Sequence, residues 1–392
     1  MELSLDESNR CQEVTTQLLT RTLNDCEKLG LETTCHGAHA HLDKKRWKKL
    51  QSQKDVTIYA DRSATSAWLP IMRREEWKCP VAVTAVGRME CSLDDVLFSL
   101  MVPNSASQRL RSFLMDRRPE RNCQLVPLVT PTPERPFEFL AISRFVNAQY
   151  SEWPLIFQTM KEMVVVIATG KINAMHGKRC GYELVQSISL NHASSMPRAR
   201  VVQTRVFWEQ SDGSIAIYTK LIVDAKHRIA DSVTQLLMGR ELLGFWKYVP
   251  RSLETKKLWW CVKNKKALIH TLRTFSVSYD NDESMICKLR PKTLPSKKAV
   301  ARRQCEFCDT RLCHGSKCRV TCHLTMVLSS DTGFLEQTLV VCLRCAAFVR
   351  SRNSGAIARS LLDDLEQTSF RSALSYTKVV IRGKERTSVK SI

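Results

Sequence analysis

The stretch from Cys305 to Cys345 reads CEFCDTRLCHGSKCRVTCHLTMVLSSDTGFLEQTLVVCLRC and holds seven of the sixteen cysteines in forty-one residues: Cys305, Cys308, Cys313, Cys318, Cys322, Cys342 and Cys345. Even scatter would leave about two there. Two C-x2-C pairs, Cys305/Cys308 and Cys342/Cys345, bracket the stretch. Such a turn sets two thiolates at the separation needed to share one tetrahedral zinc ion, and two turns supply four sulfurs. Disulfides are the competing reading. The N-terminus, MELSLDESNR, is acidic and polar, without the basic-then-apolar pattern of a secretory leader, so a reducing setting with free or metal-bound thiols is expected.

At 392 residues the chain has room for two domains, one with a sizeable core. Its longest apolar run, Met163 to Ala168, is far short of the roughly 20 residues that cross a bilayer. The expectation is a cytoplasmic protein, peripheral on endosomal or other intracellular membranes. Sixty Lys and Arg against thirty-nine Asp and Glu give a net charge of +21, which attracts nucleic acid or anionic lipid alike.

Val14, Leu18, Leu19, Thr22, Leu23 and Cys26 recur at helical spacing before Gly30, so residues 1–36 read as a helix available for interaction. Cys35, His36, His39 and His41 lack a second paired knuckle and read as a polar linker. A domain starts near residue 44, where a basic face joins the alternating run Val56, Ile58, Tyr59, a first strand. Val81 to Arg88 alternates as a strand, Ser92-Leu-Asp-Asp caps the short helix LDDVLFSLM, and residues 106–117 form a second short helix. Strand character follows at 122–129, 137–147, 162–169, 180–190, 199–209 and 214–223, the last two joined by a Gln210-Ser-Asp-Gly213 hairpin turn. Residues 230–249 carry Val233, Leu236, Leu237, Leu243, Trp246 and Val249 on one broad helical face, and Pro250 should kink or end that helix before a last basic turn, LETKKLWW.

Strands, two short helices, an antiparallel meander and one long terminal helix make an α+β chain. The strings RWKKLQSQKDVTIY, VTAVGRMECSLDDVLFSLM, GKRCGYELVQSISL, SDGSIAIYTKLIVDAKHRI and LLGFWKYV resemble START-like helix-grip domains that are coupled to a FYVE-type finger. The resemblance covers residues 44–261 and implies a curved antiparallel sheet closed by the C-terminal helix over a site for an apolar ligand, often a lipid. The bland reading of the same strand faces is a packed core.

Residues 262–301 form a basic linker containing Lys263, Lys265, Lys266, Lys288, Arg290, Lys292, Lys297 and Lys298; a polybasic segment gains about 1 kcal/mol per cation near an anionic membrane. Residues 302–350 resemble the later part of a FYVE-type zinc finger, and 351–392 read as a short helix, Ser354 to Gln367, with a disordered tail. In that family four cysteine pairs bind two zinc ions, the first pair with the third and the second with the fourth. The resemblance therefore implies one site of Cys305, Cys308, Cys342 and Cys345. Cys313 and Cys318 would start a second site, with Cys322, His314, His323 or Cys287 as candidate partners; a rival pairing joins Cys305/Cys308 to Cys318/Cys322. Arg302 and Arg303 fall where the family's basic string meets a lipid head group. Gln304 and Glu306 depart from that string and no opening Trp motif is present, which argues against specific phosphoinositide recognition.

No Gly-rich phosphate loop, G-x-S-x-G elbow or H-E-x-x-H helix occurs, His176, His192, His227 and His270 have no motif partner, and Cys180 reads as a strand residue. The chain is expected to be non-enzymatic: a lipid-binding membrane adaptor with zinc, an apolar ligand and an anionic membrane surface as its partners. Two further readings are a zinc-dependent nucleic-acid-binding protein, disfavoured because no C2H2 pattern or aromatic-interleaved basic run is present, and a protein-interaction scaffold whose cavity is filled by side chains.

Overall fold

The computed structural model describes residues 4–28, 44–62, 77–116, 121–148, 160–173, 179–189, 198–224, 230–268, 304–309, 312, 319–327 and 333–367. The chain divides into two compact units, Met1–Pro250 and Arg251–Ile392.

The first unit is built on a nine-stranded sheet in the order β1-β2-β3-β9-β8-β7-β6-β5-β4. The strands are β1 Trp47–Gln53, β2 Val56–Asp61, β3 Pro80–Met89, β4 Arg121–Val129, β5 Phe139–Ala148, β6 Met160–Asn173, β7 Arg179–Ser187, β8 Val201–Glu209 and β9 Ile215–Asp224. Every pairing is antiparallel. Two short helices, α2 Leu93–Leu100 and α3 Ser105–Asp116, come between β3 and β4. A long helix, α4 Asp231–Lys263, follows β9. This is the α+β helix-grip architecture expected from the element order.

Side-chain alternation sorts the sheet into two faces. Val56, Ile58, Val81, Val83, Ala85 and Leu221 share one of them, the inner face, and pack against Met238, Leu242 and Leu243 of α4. Two glycines permit the close approach: a Cβ on Gly87 would lie 2.8 Å from the Trp246 ring, and one on Gly181 would lie 2.8 Å from Leu93 of α2. The outer face bears Ala82, Leu140, Ile142, Val164, Val166, Leu184, Val202 and Ile222 and is covered by Cys11 and Leu18 of a helix not expected to be structural, α1 Leu5–Lys28. A sheet buried on both sides cannot alternate cleanly between apolar and polar. Runs such as VVQTRVFW in β8 are the result, and all but the end residues of that strand are buried.

Two sequence expectations need correction. The basic run WKKLQSQ, taken as the approach to a first strand, is itself β1; it pairs with β2 on one side only, and lysines on an edge strand discourage further pairing. Helix α4 does not stop at Pro250 but continues to Lys263, because Leu258 and Cys261 are buried in the second unit's core and repay the hydrogen bond that the proline forgoes. Pro250 is exposed, and the two compact units part there.

Within the second unit, β10 Arg319–Val327 and β11 Phe334–Cys342 form an antiparallel hairpin, followed by α5 Leu343–Ser351 and α6 Ser354–Gln367. The small core joins Leu258, Phe307, Leu312, Leu324, Leu339, Val341, Phe348 and Val349 to the metal-type cysteines. Helix α6 has the expected bounds, and Ile357, Ala358 and Leu362 are buried, so this segment is part of the unit rather than a tail.

Helix α2 illustrates how local chemistry fixes an end. Ser92 accepts from the Asp95 amide at 3.1 Å while the Asp95 carboxylate accepts from the Ser92 amide at 3.2 Å, a reciprocal capping box. Replacing Ser92 by Ala should lower the unfolding free energy by about 0.5–2 kcal/mol, with urea titration as the check.

Candidate functional site

Two clusters concentrate chemistry, one in each unit. In the second, Cys305 and Cys308 occupy a tight turn closed by the Asp309 amide donating to the Cys305 carbonyl at 3.0 Å. Asp309 has φ +59°, a left-handed conformation that a short polar side chain tolerates. The Glu306 amide donates to the Val340 carbonyl at 3.0 Å, which holds this turn against the end of β11. Cys342 ends β11 and caps α5: its sulfur accepts from the Cys345 amide at 3.3 Å, while its own amide donates to the Cys305 sulfur at 3.3 Å.

The result is four buried sulfurs, from Cys305, Cys308, Cys342 and Cys345, all within 4.8 Å of one another. Cys308 Sγ and Cys342 Sγ are 3.8 Å apart. A tetrahedron with metal–sulfur arms of about 2.3 Å has edges of about 3.8 Å, so the spacing suits a single ion bound by all four. In the metal-free state the thiols share their protons unequally. The hydrogen bond with Cys305 brings the Cys342 thiol down to about 7. Cys305 is pushed up by its hydrogen bonds to Cys308 and Cys342, and Cys345 by its bonds to the other three.

Cys322 does not join this group. It lies buried on β10, where burial first and the Glu254 carboxylate second push its thiol up to about 11. His323, on the same strand, is exposed. Cys313, Cys318, His314, Cys287, Arg302 and Arg303 lie outside the described residues.

The second cluster was not anticipated. Across the inner face of the sheet, Thr169, Glu183, Arg205 and Thr219 stand opposite one another on β6, β7, β8 and β9. Glu183 and Arg205 are wholly buried. Arg205 donates through Nη1 to Glu183 Oε2, and Arg111 of α3 brings Nη2 within 2.5 Å of Glu183 Oε1. Burial pushes the Glu183 carboxyl up, but Arg111 and Arg205 outweigh it and leave the group below the ordinary carboxylate range. Burial is also the main reason that Arg205 drops below its ordinary value. From α4, the Phe245 ring covers the Arg205 guanidinium at 4.4 Å, and Tyr248 donates to the Ser99 carbonyl of α2 at 2.8 Å. The sequence signal is a pair of opposite charges, Glu183 and Arg205, at buried positions of two neighbouring strands.

A separate ion group sits on the outer face. Lys220 reaches Asp25 of α1 at 3.3 Å and Asp61 of β2 at 3.2 Å, and Arg46 donates to both oxygens of Asp61 at 3.1 Å. Arg21 joins it through Asp25 at 3.8 Å, and the group ties α1 to the sheet.

No family model and no curated protein sequence matches the chain. Solved structures similar to it include human StAR-related lipid transfer protein 5, at 9% identity over 62% of this chain and 97% of that one, with a TM-score of 0.41. The lipid transfer and protein localization domain of human StarD13 aligns at 12% identity over 59% and 95%, TM-score 0.36. The STAR-related lipid transfer protein of Xanthomonas axonopodis aligns at 13% over 53% and 98%, TM-score 0.37. At scores this low the architecture rests on the observed sheet order and covering helix rather than on these likenesses. Among the described residues, no helix is long and apolar enough to cross a membrane.

Proposed function

We propose that the chain is a non-enzymatic lipid-binding adaptor. The first unit encloses an apolar ligand between the inner face of the sheet and α4, and the second is a zinc-stabilised module that associates with anionic membrane surfaces. The observation that carries the ligand half is the wholly buried Arg205–Glu183 pair on the inner face of the sheet. An ion pair in a packed core is at best neutral for stability, since desolvation offsets the attraction. Polar groups set deep in an apolar site instead orient a bound molecule.

Zinc is the metal assigned to Cys305, Cys308, Cys342 and Cys345, because four thiolates in tetrahedral spacing with no open position match a structural zinc site. Bound zinc would supply cross-linking of the turn at Cys305–Cys308 to the β11–α5 junction. Cys313 and Cys318 remain candidates for a second ion.

Charge supports the membrane half. Residues 251–392 hold 27 of the 60 Lys and Arg but only 12 of the 39 Asp and Glu, so most of the excess charge falls in the second unit. Vesicles of phosphatidylcholine doped with phosphatidylserine should carry the protein upward in flotation, and plain phosphatidylcholine vesicles should not. Raising the salt toward 1 M, where the Debye length is about 3 Å, should release it. Failure to float with either vesicle would remove the membrane half. Salt-sensitive retention of DNA or RNA without lipid binding would favour the nucleic-acid reading.

A further inference from the structure

The guanidinium of Arg205 is only half used. Its Nη1 goes to Glu183, but Nε and Nη2, both buried, have no hydrogen-bond partner among the described residues. These two N–H groups form one edge of the planar cation and point the same way, the fork that receives a carboxylate through two parallel bonds. Phe245 covers one side of the guanidinium plane, so the edge is the approach left for hydrogen bonding. Two more groups face the same way without a partner among the described residues: Thr219 Oγ1, directly opposite Arg205, and Gln203 Nε2, two residues along the same strand face. Glu183 Oε1 already faces Arg111 Nη2 at 2.5 Å, so the atoms here that lack a contact are donors, or hydroxyls that can donate, and buried donors left unmade are costly. The missing partner is therefore an acceptor.

We propose that the enclosed ligand is a long-chain monocarboxylate, held with its carboxylate on the Nε–Nη2 edge of Arg205 and its chain along the inner face of the sheet. This rests on the ligand half of the function above and narrows its chemical class. A lone hydroxyl offers a single acceptor atom and leaves one N–H of the fork unmet, whereas a carboxylate fills both.

The test uses the full-length, zinc-loaded, delipidated chain, titrated with hexadecanoate, hexadecanol and hexadecyl phosphate and read by native mass spectrometry. Hexadecanoate should bind about 10- to 100-fold more tightly than hexadecanol, as expected for two charge-assisted bonds. Arg205→Lys keeps the charge but loses the fork, and should bring the acid down toward the alcohol. Equal affinity of acid and alcohol for the natural chain would overturn the carboxylate assignment while leaving an enclosed apolar ligand in place. Hexadecyl phosphate displacing hexadecanoate would overturn it too, in favour of a tetrahedral head. Absence of binding by all three would instead overturn the ligand reading. Because the comparison among ligands needs only the natural sequence, it decides the matter even where the variant fails to fold.

Discussion

Removing zinc with a chelator, or replacing Cys342 by Ser, is expected to unfold the Arg251–Ile392 unit while the nine-stranded sheet stays folded. The second unit's core is short of apolar mass: Phe307, Leu312, Leu324, Leu339, Val341, Phe348 and Val349 surround cysteines rather than a further layer of side chains. Structural zinc supplies about 10–16 kcal/mol of apparent binding free energy near neutral pH, more than such a core provides by itself. Cys342 is the sensitive position because it ends β11, caps α5 and holds a sulfur in the cluster. Hydrogen exchange should show protection lost from β10, β11 and α5, and from α4 beyond Pro250, with β5 to β9 unchanged. Zinc occupancy should fall as the medium is acidified, because protons compete with metal for the thiolates; the Cys342 thiol, brought down to about 7, ionises before those of Cys305 and Cys345. Elemental analysis should give at least one zinc per chain. An exchange pattern unaffected by chelation would show that the sulfurs are a packed core and not a metal site.

The features legible in the sequence were those written in local chemistry. The Ser92-Leu-Asp-Asp capping box, the Gln210 to Gly213 turn and the C-x2-C pairs each depend on residues a few positions apart, and their spacing is visible in one dimension. The turn is built as its residues suggest: Gly213 takes φ +81°, and Ser214 donates through its amide and hydroxyl to Asp212. What escaped was decided by packing across long separations. Nothing near Cys11 or Leu18 shows that α1 covers the outer face of strands that start at residue 80 and run beyond residue 220, because an amphipathic helix looks the same whatever it covers. Pro250 reads as a kink or an end because its local cost is visible, while the compensating burial of Leu258 and Cys261 comes from residues beyond 300. The inner-face ion cluster was hidden for the same reason. Arg111, Glu183 and Arg205 are far apart in the chain, and only antiparallel register puts Glu183 and Arg205 side by side.

Replacing Glu183 by Gln is expected to destabilise the first unit by about 3–5 kcal/mol, the cost of leaving buried cations without their counter-charge. Arg205 is wholly buried and cannot turn to water; Arg111 is nearly so. The carboxylate is therefore required by the two arginines, whatever binds beside them. Its pKa lies below the ordinary value, so the contribution is present above about pH 4.3, the unfolded-chain value for Glu, and is lost as pH falls through the lower folded value. Acid titration of the natural chain should show stability declining below about pH 4, and the Gln variant should lack the part of that slope due to Glu183. Removing the charges together, as Glu183→Gln with Arg205→Met, should cost less than Glu183→Gln alone, because the most buried cation goes with its partner. That double variant separates two roles: if the ion pair were there for stability, the second substitution would add to the loss, whereas a pair retained for a ligand should leave a folded chain that no longer distinguishes hexadecanoate from hexadecanol.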